Sequence, residues 1–328
     1  MLSNNVLMTY RDAIREGLAE EMKRDDRVCL LGEDIGVYGG AYKVTRNLIN
    51  EFGPMRVMDT PMSESLIVGA AVGMAIVGLR PVAEIMYIDF STLSIDQIVN
   101  QAAKFHFMTG GRVKVPLVVR MQQGTGRSAA AQHSQSLEAW YAHIPGLKVV
   151  LPSTPYDSKG LIKSAIRDEN PVVFIEHKGL YTLKGDVDKE EYLIPIGKAD
   201  IKKEGTDVTI ITYSKMVHVA LQASQELEAE SGISIEVLDL RSLRPIDDDA
   251  IRNSVQKTKH VLIVTEANKT LGMSAEIFTR VVELVPDIKE IRRLAGKDTI
   301  IGCSPVLENA SIPTVEEIKE TIRAMMKL

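Results

Sequence analysis

The chain has 328 residues, with 39 Lys and Arg against 44 Asp and Glu, and a net charge of −5. This length indicates about two domains whose cores are large enough to need no disulfide or metal. The acidic balance argues against nucleic-acid binding. The two cysteines, Cys29 and Cys303, form no CxxC pair, which excludes a cysteine zinc site or a disulfide scaffold and favours a cytoplasmic location.

The amino terminus and the most apolar region contain no targeting or membrane signal. Residues 1–17 lack a basic segment followed by an apolar one, so we expect no signal peptide. The apolar region over residues 65–85 is interrupted by glycines, Arg80 and Pro81, whereas a bilayer span needs about 20 apolar residues in a row. We therefore expect no membrane partner.

The first half of the sequence alternates between helical and strand patterns. Residues 9–25 have helical spacing, 28–34 form an apolar run ending in two acids, and 56–65 predict a strand, a turn and a helix start. Ser63 is the expected N-cap of that helix, which is apolar on nearly every face to about residue 78 and so favours a subunit interface. The remaining predicted elements are strands over 80–90, 115–120, 147–152 and 171–176 and helices over 94–105 and 157–168.

The second half repeats the alternation after a charged segment. Residues 184–205 predict a linker and a short hairpin. Strands are then expected over 207–214, 233–240 and 260–266, with helices over 218–232, 247–258 and 273–283. The chain is therefore predicted to be α/β, with two three-layer domains on mainly parallel sheets. We expect the first domain over 1–183, a linker over 184–200 and the second domain over 201–328.

Polar residues that follow strands are the candidates for chemistry, because ligands of open α/β sheets bind beyond the carboxyl ends of strands. Glu33 follows the apolar residues of the run over 28–34, and Glu64 begins the apolar helix. His133 lies in 121–136, a segment without periodicity, and such segments are usually functional. Each residue also has a structural interpretation: a helix-start carboxylate, a solvated loop acid and a surface histidine.

Several segments together resemble a known family. LLGEDIGVYGG, DTPMSES, GLRPVAEIMYIDF, AAQHSQS and RSLRPID look like the β subunit of the thiamine-diphosphate-dependent 2-oxo acid dehydrogenases, the decarboxylating components of the pyruvate, branched-chain and acetoin dehydrogenase complexes. The resemblance covers residues 6–326. It implies a transketolase-like pyrimidine-binding domain followed by a transketolase C-terminal domain. Residues 296–308 depart from the family because they lack its proline-rich stretch.

The resemblance implies a role for each candidate site residue. Glu64 matches the glutamate that faces the aminopyrimidine ring of the cofactor and shares a proton with a ring nitrogen. Glu33 matches an acid thought to relay protons between sites, and Met86 and Phe90 match the apolar wall beside the ring. His133 matches the loop histidine near the substrate and lipoyl entrance.

The resemblance also implies what the chain works with. The family's GDG motif, which marks the domain that holds the diphosphate and Mg²⁺, is absent here, because the pair Gly185-Asp186 is followed by Val187. A separate α subunit should supply it in an α2β2 assembly that acylates a lipoyl-bearing acyltransferase core. A structural K⁺ is a further expectation, and an ordinary helix end is the alternative. Its ligands would be backbone carbonyls of Leu117, Ala165, Ile166, Asp168 and Asn170.

The expected function is that of a pyruvate- or acetoin-type dehydrogenase β subunit, active with its α partner. A branched-chain 2-oxo acid dehydrogenase β subunit and a non-catalytic scaffold subunit are the alternatives. The sequence leaves the substrate open, because one methylene in a pocket is worth only about 1–3 kcal/mol.

Overall fold

The computed structural model describes residues 5–327 and divides the chain into two compact units. Of the described residues, the first unit comprises 5–123 and 140–196, and the second comprises 124–139 and 197–327. Segment 124–139 belongs to the second unit, although the sequence-based division assigned it to the first domain. Among the described residues, no helix is long and apolar enough to cross a membrane.

The first unit contains eight strands and most of the helices of the first half. The strands are β1 (Asn5–Thr9), β2 (Val28–Gly32), β3 (Val57–Asp59), β4 (Arg80–Ile85), β5 (Val118–Gln123), β6 (Lys148–Val150), β7 (Val172–His177) and β8 (Lys184–Asp188). The helices are α1 (Tyr10–Arg24), α2 (Leu48–Phe52), α3 (Glu64–Ile76), α4 (Ala103–Met108), α5 (Glu138–Ala142), which begins in the second unit, and α6 (Pro155–Arg167).

Six strands of this unit form a parallel sheet in the order β6-β7-β5-β4-β2-β3. Every residue of β2, β4, β5 and β7 is buried, as expected for parallel strands covered on both faces. Leu30 and Val82 share a core with Ile14 of α1 and Leu161 of α6. Side chains alternate between the two faces of a sheet, so the residues before and after Leu30 and Val82 in the sequence point to the opposite face. On that face, α3 packs on β4.

The second unit repeats the architecture with a five-stranded sheet in the order β14-β13-β10-β11-β9. Its strands are β9 (Asp200–Lys203), β10 (Val208–Thr212), β11 (Ile235–Asp239), β12 (Ser242–Arg244), β13 (His260–Asn268) and β14 (Glu290–Gly296). Its helices are α7 (Met216–Ser231), α8 (Asp248–Thr258), α9 (Met273–Leu284), α10 (Pro305–Ala310) and α11 (Val315–Met326). The sheet is parallel except for β9, which runs antiparallel to β11. Two α/β units on mainly parallel sheets are the predicted fold class.

Three predicted elements are wrong in detail. The strand predicted over 80–90 ends at Ile85, and a 3-10 helix follows over Ile88–Leu93. The helix predicted over 94–105 contains a π-helical turn over Gln97–Ala102. The segment 184–205 contains no hairpin, because β8 pairs with β1 and β9 pairs with β11.

Candidate active site

The carboxyl ends of the first unit's parallel strands bring three of the predicted site residues to one edge of the sheet. Glu33 directly follows β2, and Met86 directly follows β4, which is hydrogen-bonded to β2. Glu64 is the first residue of α3, which follows β3 on the other side of β2. This edge is where an open α/β sheet binds its ligands.

Glu33 presents a carboxyl group that the fold leaves unsatisfied. Its Oε1 atom is buried and has no hydrogen-bond partner among the described residues. Burial raises the pKa of Glu33, and the nearby carboxylates of Glu64, Asp34 and Glu84 raise it further. A buried polar atom without a partner is costly, so this oxygen is suited to a ligand that brings a hydrogen-bond donor.

Glu64 lies in the first turn of α3 and is half-buried. The predicted N-cap position of Ser63 is confirmed, although the Ser63 side chain makes no capping hydrogen bond. The helix start therefore keeps free N–H groups, and its dipole favours a negative charge at position 64. The charge of Glu64 raises the pKa of Glu33, so the two carboxyl groups are close enough to interact at this edge of the sheet.

Met86 and Phe90 are both partly exposed, so they are available to line a ligand site. Phe90 lies in the 3-10 helix rather than at the end of a strand, and its ring stands edge-on to Tyr87 with centroids 6.1 Å apart. Their partial exposure differs from the full burial expected of core residues on a strand.

A buried ion network beneath this edge escaped the sequence analysis. Arg120 donates to Glu84 Oε2 at 2.6 Å and to both oxygens of Glu176, at 2.6 and 2.9 Å. The Tyr181 hydroxyl donates to Glu176 Oε2 at 2.7 Å. All four residues are buried, with two carboxylates against one guanidinium, and burial is the main cause that raises the pKa of Glu84. The available signal was a charged residue inside each of three apolar strands.

His133 lies in the second unit, in a segment that has no regular secondary structure over residues 124–137. The predicted irregular segment is confirmed from residue 124 onward, whereas residues 121–123 belong to β5. The His133 side chain is half-buried, and its backbone N–H donates to the carbonyl of Ala130 at 3.4 Å.

Two glutamates of the second unit hold the loop in shape. Glu266 Oε1 accepts the N–H of Thr125 at 2.6 Å, and Glu308 accepts those of Gly126 and Ser128 at 2.9 and 3.1 Å. The loop also lines a pocket of about 760 Å³ within this unit, whose lining includes Ser134 but not His133. Neither glutamate could be predicted from the sequence, because carboxylates that bind backbone N–H groups leave no local pattern.

Four of the five carbonyls predicted to bind potassium accept hydrogen bonds, namely those of Leu117, Ala165, Ile166 and Asp168. The carbonyls of Ile166 and Asp168 both accept from Arg80 Nη1, at 2.9 and 3.1 Å. The carbonyl of Leu117 accepts the N–H of Val172 at 2.8 Å. The carbonyls of Ile166 and Asp168 therefore both point to the positively charged guanidinium group of Arg80. Ala165 accepts the N–H of Asp168 at 3.3 Å, and Asn170 Nδ2 donates to Asp168 Oδ1 at 3.1 Å.

A side-chain metal site is not evident in residues 5–327. The described residues contain no group of three or more His, Cys, Asp or Glu side chains that could hold a metal ion. Cys29 is a buried free thiol whose pKa burial raises to about 11, and Cys303 is exposed and free.

Comparison with known proteins defines the class of fold. Residues 7–184 match the transketolase pyrimidine-binding domain, and residues 197–318 match the transketolase C-terminal domain. Among solved structures, a split-gene transketolase described as an inactive β4 tetramer superposes with a TM-score of 0.80 at 21% identity, covering 98% of this chain and 99% of that one. The fold is thus of the transketolase type.

Curated relatives narrow the family. The chain is 45% identical to the 2-oxoisovalerate dehydrogenase subunit beta of Bacillus subtilis, covering 97% of this chain and 98% of that protein. It is 44% identical to the mitochondrial pyruvate dehydrogenase E1 component subunit beta of Caenorhabditis elegans, covering 98% and 93%. It is 45% identical to the acetoin:2,6-dichlorophenolindophenol oxidoreductase subunit beta of Bacillus subtilis, covering 95% of each. The chain belongs to the family of E1 β subunits of 2-oxo acid and acetoin dehydrogenases.

Proposed function

We propose that this chain is the β subunit of a thiamine-diphosphate-dependent dehydrogenase of the pyruvate or acetoin type. One observation carries the proposal: Glu33 and Glu64 form an acidic cluster at the ligand-binding edge of the first unit, and a buried oxygen of Glu33 lacks a partner. Burial and the neighbouring carboxylates make Glu33 hold its proton more firmly than a carboxyl group in water does. That property suits a group that keeps a proton available beside a ring nitrogen.

Each residue of the edge has a defined task in this proposal. Glu64 donates a hydrogen bond to the aminopyrimidine ring, and Glu33 keeps a proton available next to it. Met86 and Phe90 exclude water from the ring by covering it with apolar surface. When bound, thiamine diphosphate supplies the thiazolium carbon that attacks the substrate carbonyl and the ring that accepts the released electron pair.

We propose that an α subunit completes the site in an α2β2 assembly. The GDG motif is absent from the sequence, and the described residues contain no cluster of metal-ligating side chains. Mg²⁺ and the diphosphate are therefore assigned to the α subunit. His133 is assigned to the step in which the acyl group passes to a lipoyl group of the acyltransferase core, in the cytoplasm.

A structural K⁺ remains a separate proposal. The convergence of the Ile166 and Asp168 carbonyls on one cationic group supports it, since each carbonyl oxygen has a second lone pair. Arg80 competes for the same oxygens. The test compares the melting temperature of the full chain in KCl and in NaCl at equal ionic strength. A higher melting temperature in KCl would support a bound K⁺. Equal melting temperatures would mean that Arg80, and not K⁺, neutralises these carbonyls.

The substrate is tested by reconstitution. The full chain is mixed with its α partner, thiamine diphosphate, Mg²⁺ and an artificial electron acceptor, and turnover is measured with pyruvate, acetoin and branched 2-oxo acids. We expect turnover with pyruvate or acetoin. Preference for branched 2-oxo acids would support the branched-chain alternative, and no turnover on any substrate in a complex that assembles would support the scaffold alternative.

A further inference from the structure

The first unit has a second pocket at the edge of its sheet opposite the candidate active site. The pocket has a volume of about 340 Å³ and lies where the parallel strands begin. Arg27 immediately precedes β2, Arg80 begins β4, and Arg112 and Lys114 lie in the segment before β5. Glu33 and Met86 follow the other ends of β2 and β4, so the two sites are separated by the length of the strands.

The lining of this pocket is positively charged. Four of its residues are cations, namely Arg27, Arg80, Arg112 and Lys114, and Glu169 is the one carboxylate that lines it. This concentration of positive charge occurs in a chain whose net charge is −5. Like charges close together repel, so such a cluster is stabilised when an anion enters it.

The local carboxylates neutralise only part of this charge. Arg27 donates to both oxygens of Asp25, at 2.9 and 2.7 Å. Glu169 pairs with Arg80 and, at 2.9 Å, with Lys114. Within residues 5–327, Arg112 has no ion-pair partner, and two carboxylates face four cations. An excess of about two positive charges remains, which matches the charge of a phosphate group at neutral pH.

The deepest cation is already held in place. Arg80 is 9% exposed, and its Nη1 donates to the carbonyls of Ile166 and Asp168 while its Nη2 donates to Glu169. These bonds use three of the five guanidinium N–H groups. Arg80 Nε also faces Asp25 Oδ2 at 3.7 Å, so Arg80 retains one Nη2 donor on a side chain that loses little freedom on binding. Arg112 and Lys114 are exposed at the rim and can close over a ligand.

We propose that this pocket binds a small molecule that carries a phosphate group. Guanidinium groups recognise phosphate oxygens through paired, charge-assisted hydrogen bonds, and a lysine adds a mobile charge. Ala75, Ile76 and Val113 supply an apolar wall for the organic part of the ligand. The volume is enough for a phosphate group with a small substituent.

The test uses the full chain, without α subunit or cofactor, and sodium phosphate as the probe. Sodium keeps potassium out of the neighbouring carbonyl site. Binding is followed by isothermal titration and by melting temperature, against sodium chloride of equal ionic strength. We expect saturable binding with a Kd on the order of millimolar for inorganic phosphate alone.

Two double variants make the test specific. R112Q with K114Q removes both rim cations, which are exposed and therefore tolerate substitution. R46Q with K104Q removes two exposed cations of the same unit that do not line the pocket. We expect the pocket variant to weaken phosphate binding by about tenfold or more, and the control variant to bind like the unmodified chain. Absence of saturable binding, or equal weakening in both variants, would overturn the proposal.

Discussion

The carboxyl group of Glu64 acts on that of Glu33 at the carboxyl edge of the first unit's sheet: after burial, the charge of Glu64 is the largest cause that raises the pKa of Glu33. Glu33 Oε1 is also buried without a hydrogen-bond partner. The fold thus makes the charged form of Glu33 costly.

The first prediction concerns stability against pH. Because the pKa of Glu33 is raised in the folded chain, its contribution to stability is present below its ordinary pKa and is lost as the pH rises through the raised value. The variant Glu33→Gln stays neutral, so we expect its melting temperature to rise relative to the unmodified chain between pH 4 and pH 8.

Glu191 provides a control of opposite sign. Its hydrogen bond with Arg167 lowers its pKa, so its contribution is present above its ordinary pKa and lost as the pH falls. Glu191→Gln should therefore lose melting temperature relative to the unmodified chain as the pH rises from about 3 to about 5, and the difference should stay constant above that range. Parallel curves for Glu33→Gln and the unmodified chain would contradict the proposed environment of Glu33.

The second prediction concerns the buried network of Arg120. Arg120→Met leaves the carboxylates of Glu84 and Glu176 buried without their cation. We expect the first unit to lose about 3–5 kcal/mol of its free energy of unfolding, measured by urea denaturation. Arg252→Met, which breaks only a surface pair with the exposed Asp249, should cost at most about 0.5 kcal/mol. Equal costs for the two variants would show that the network does not stabilise the fold.

The third prediction concerns the start of α8. The Asp247 side chain accepts hydrogen bonds from the N–H groups of Ala250 and Ala199, both at 3.2 Å. Asp247→Ala should destabilise the second unit by about 1 kcal/mol, in line with the loss of an N-cap. Asp249→Ala, two residues further along the same helix, removes an exposed side chain and should have little effect in the same urea titration.

The fourth prediction concerns His133 and separates decarboxylation from acyl transfer. His133→Ala should lower the rate of lipoyl acylation by about 10²–10⁴-fold, the usual contribution of a positioned acid or base. Turnover with an artificial electron acceptor should fall much less, because that assay bypasses the lipoyl group. An equal fall in both assays would assign His133 to an earlier step or to folding.

Local patterns in the sequence predicted the regular elements well. The helix predicted over 218–232 is α7, which is capped by Gly232 with a φ of +74°, and the helix predicted over 247–258 is α8, which is capped by Asp247. The strand pairing of β8 with β1 was not predictable, because about 175 residues separate the partners and neither segment has a distinctive pattern. The strand predicted over 80–90 is longer than the observed β4. Isoleucine and phenylalanine favour strands, but Ile88 and Phe90 lie in a 3-10 helix.

The candidate site was predicted in part. Glu33 and Glu64 could be placed at one edge because parallel strands share a polarity, whereas Met86 lies inside the strand predicted over 80–90 and joins the site only through the family resemblance. The partners of Arg120 could not be predicted, since each lies on a different strand and only the sheet order brings them together. The positive pocket at the other edge was missed for the same reason: its four cations come from three separate segments.

The role of Glu64 is tested most directly by turnover of the Glu64→Gln variant in the reconstituted complex. Glutamine keeps the size of the side chain but cannot exchange a proton, so we expect turnover to fall by about 10²-fold or more while assembly with the α subunit is unchanged. Turnover equal to that of the unmodified chain, in a complex assembled to the same extent, would contradict the account.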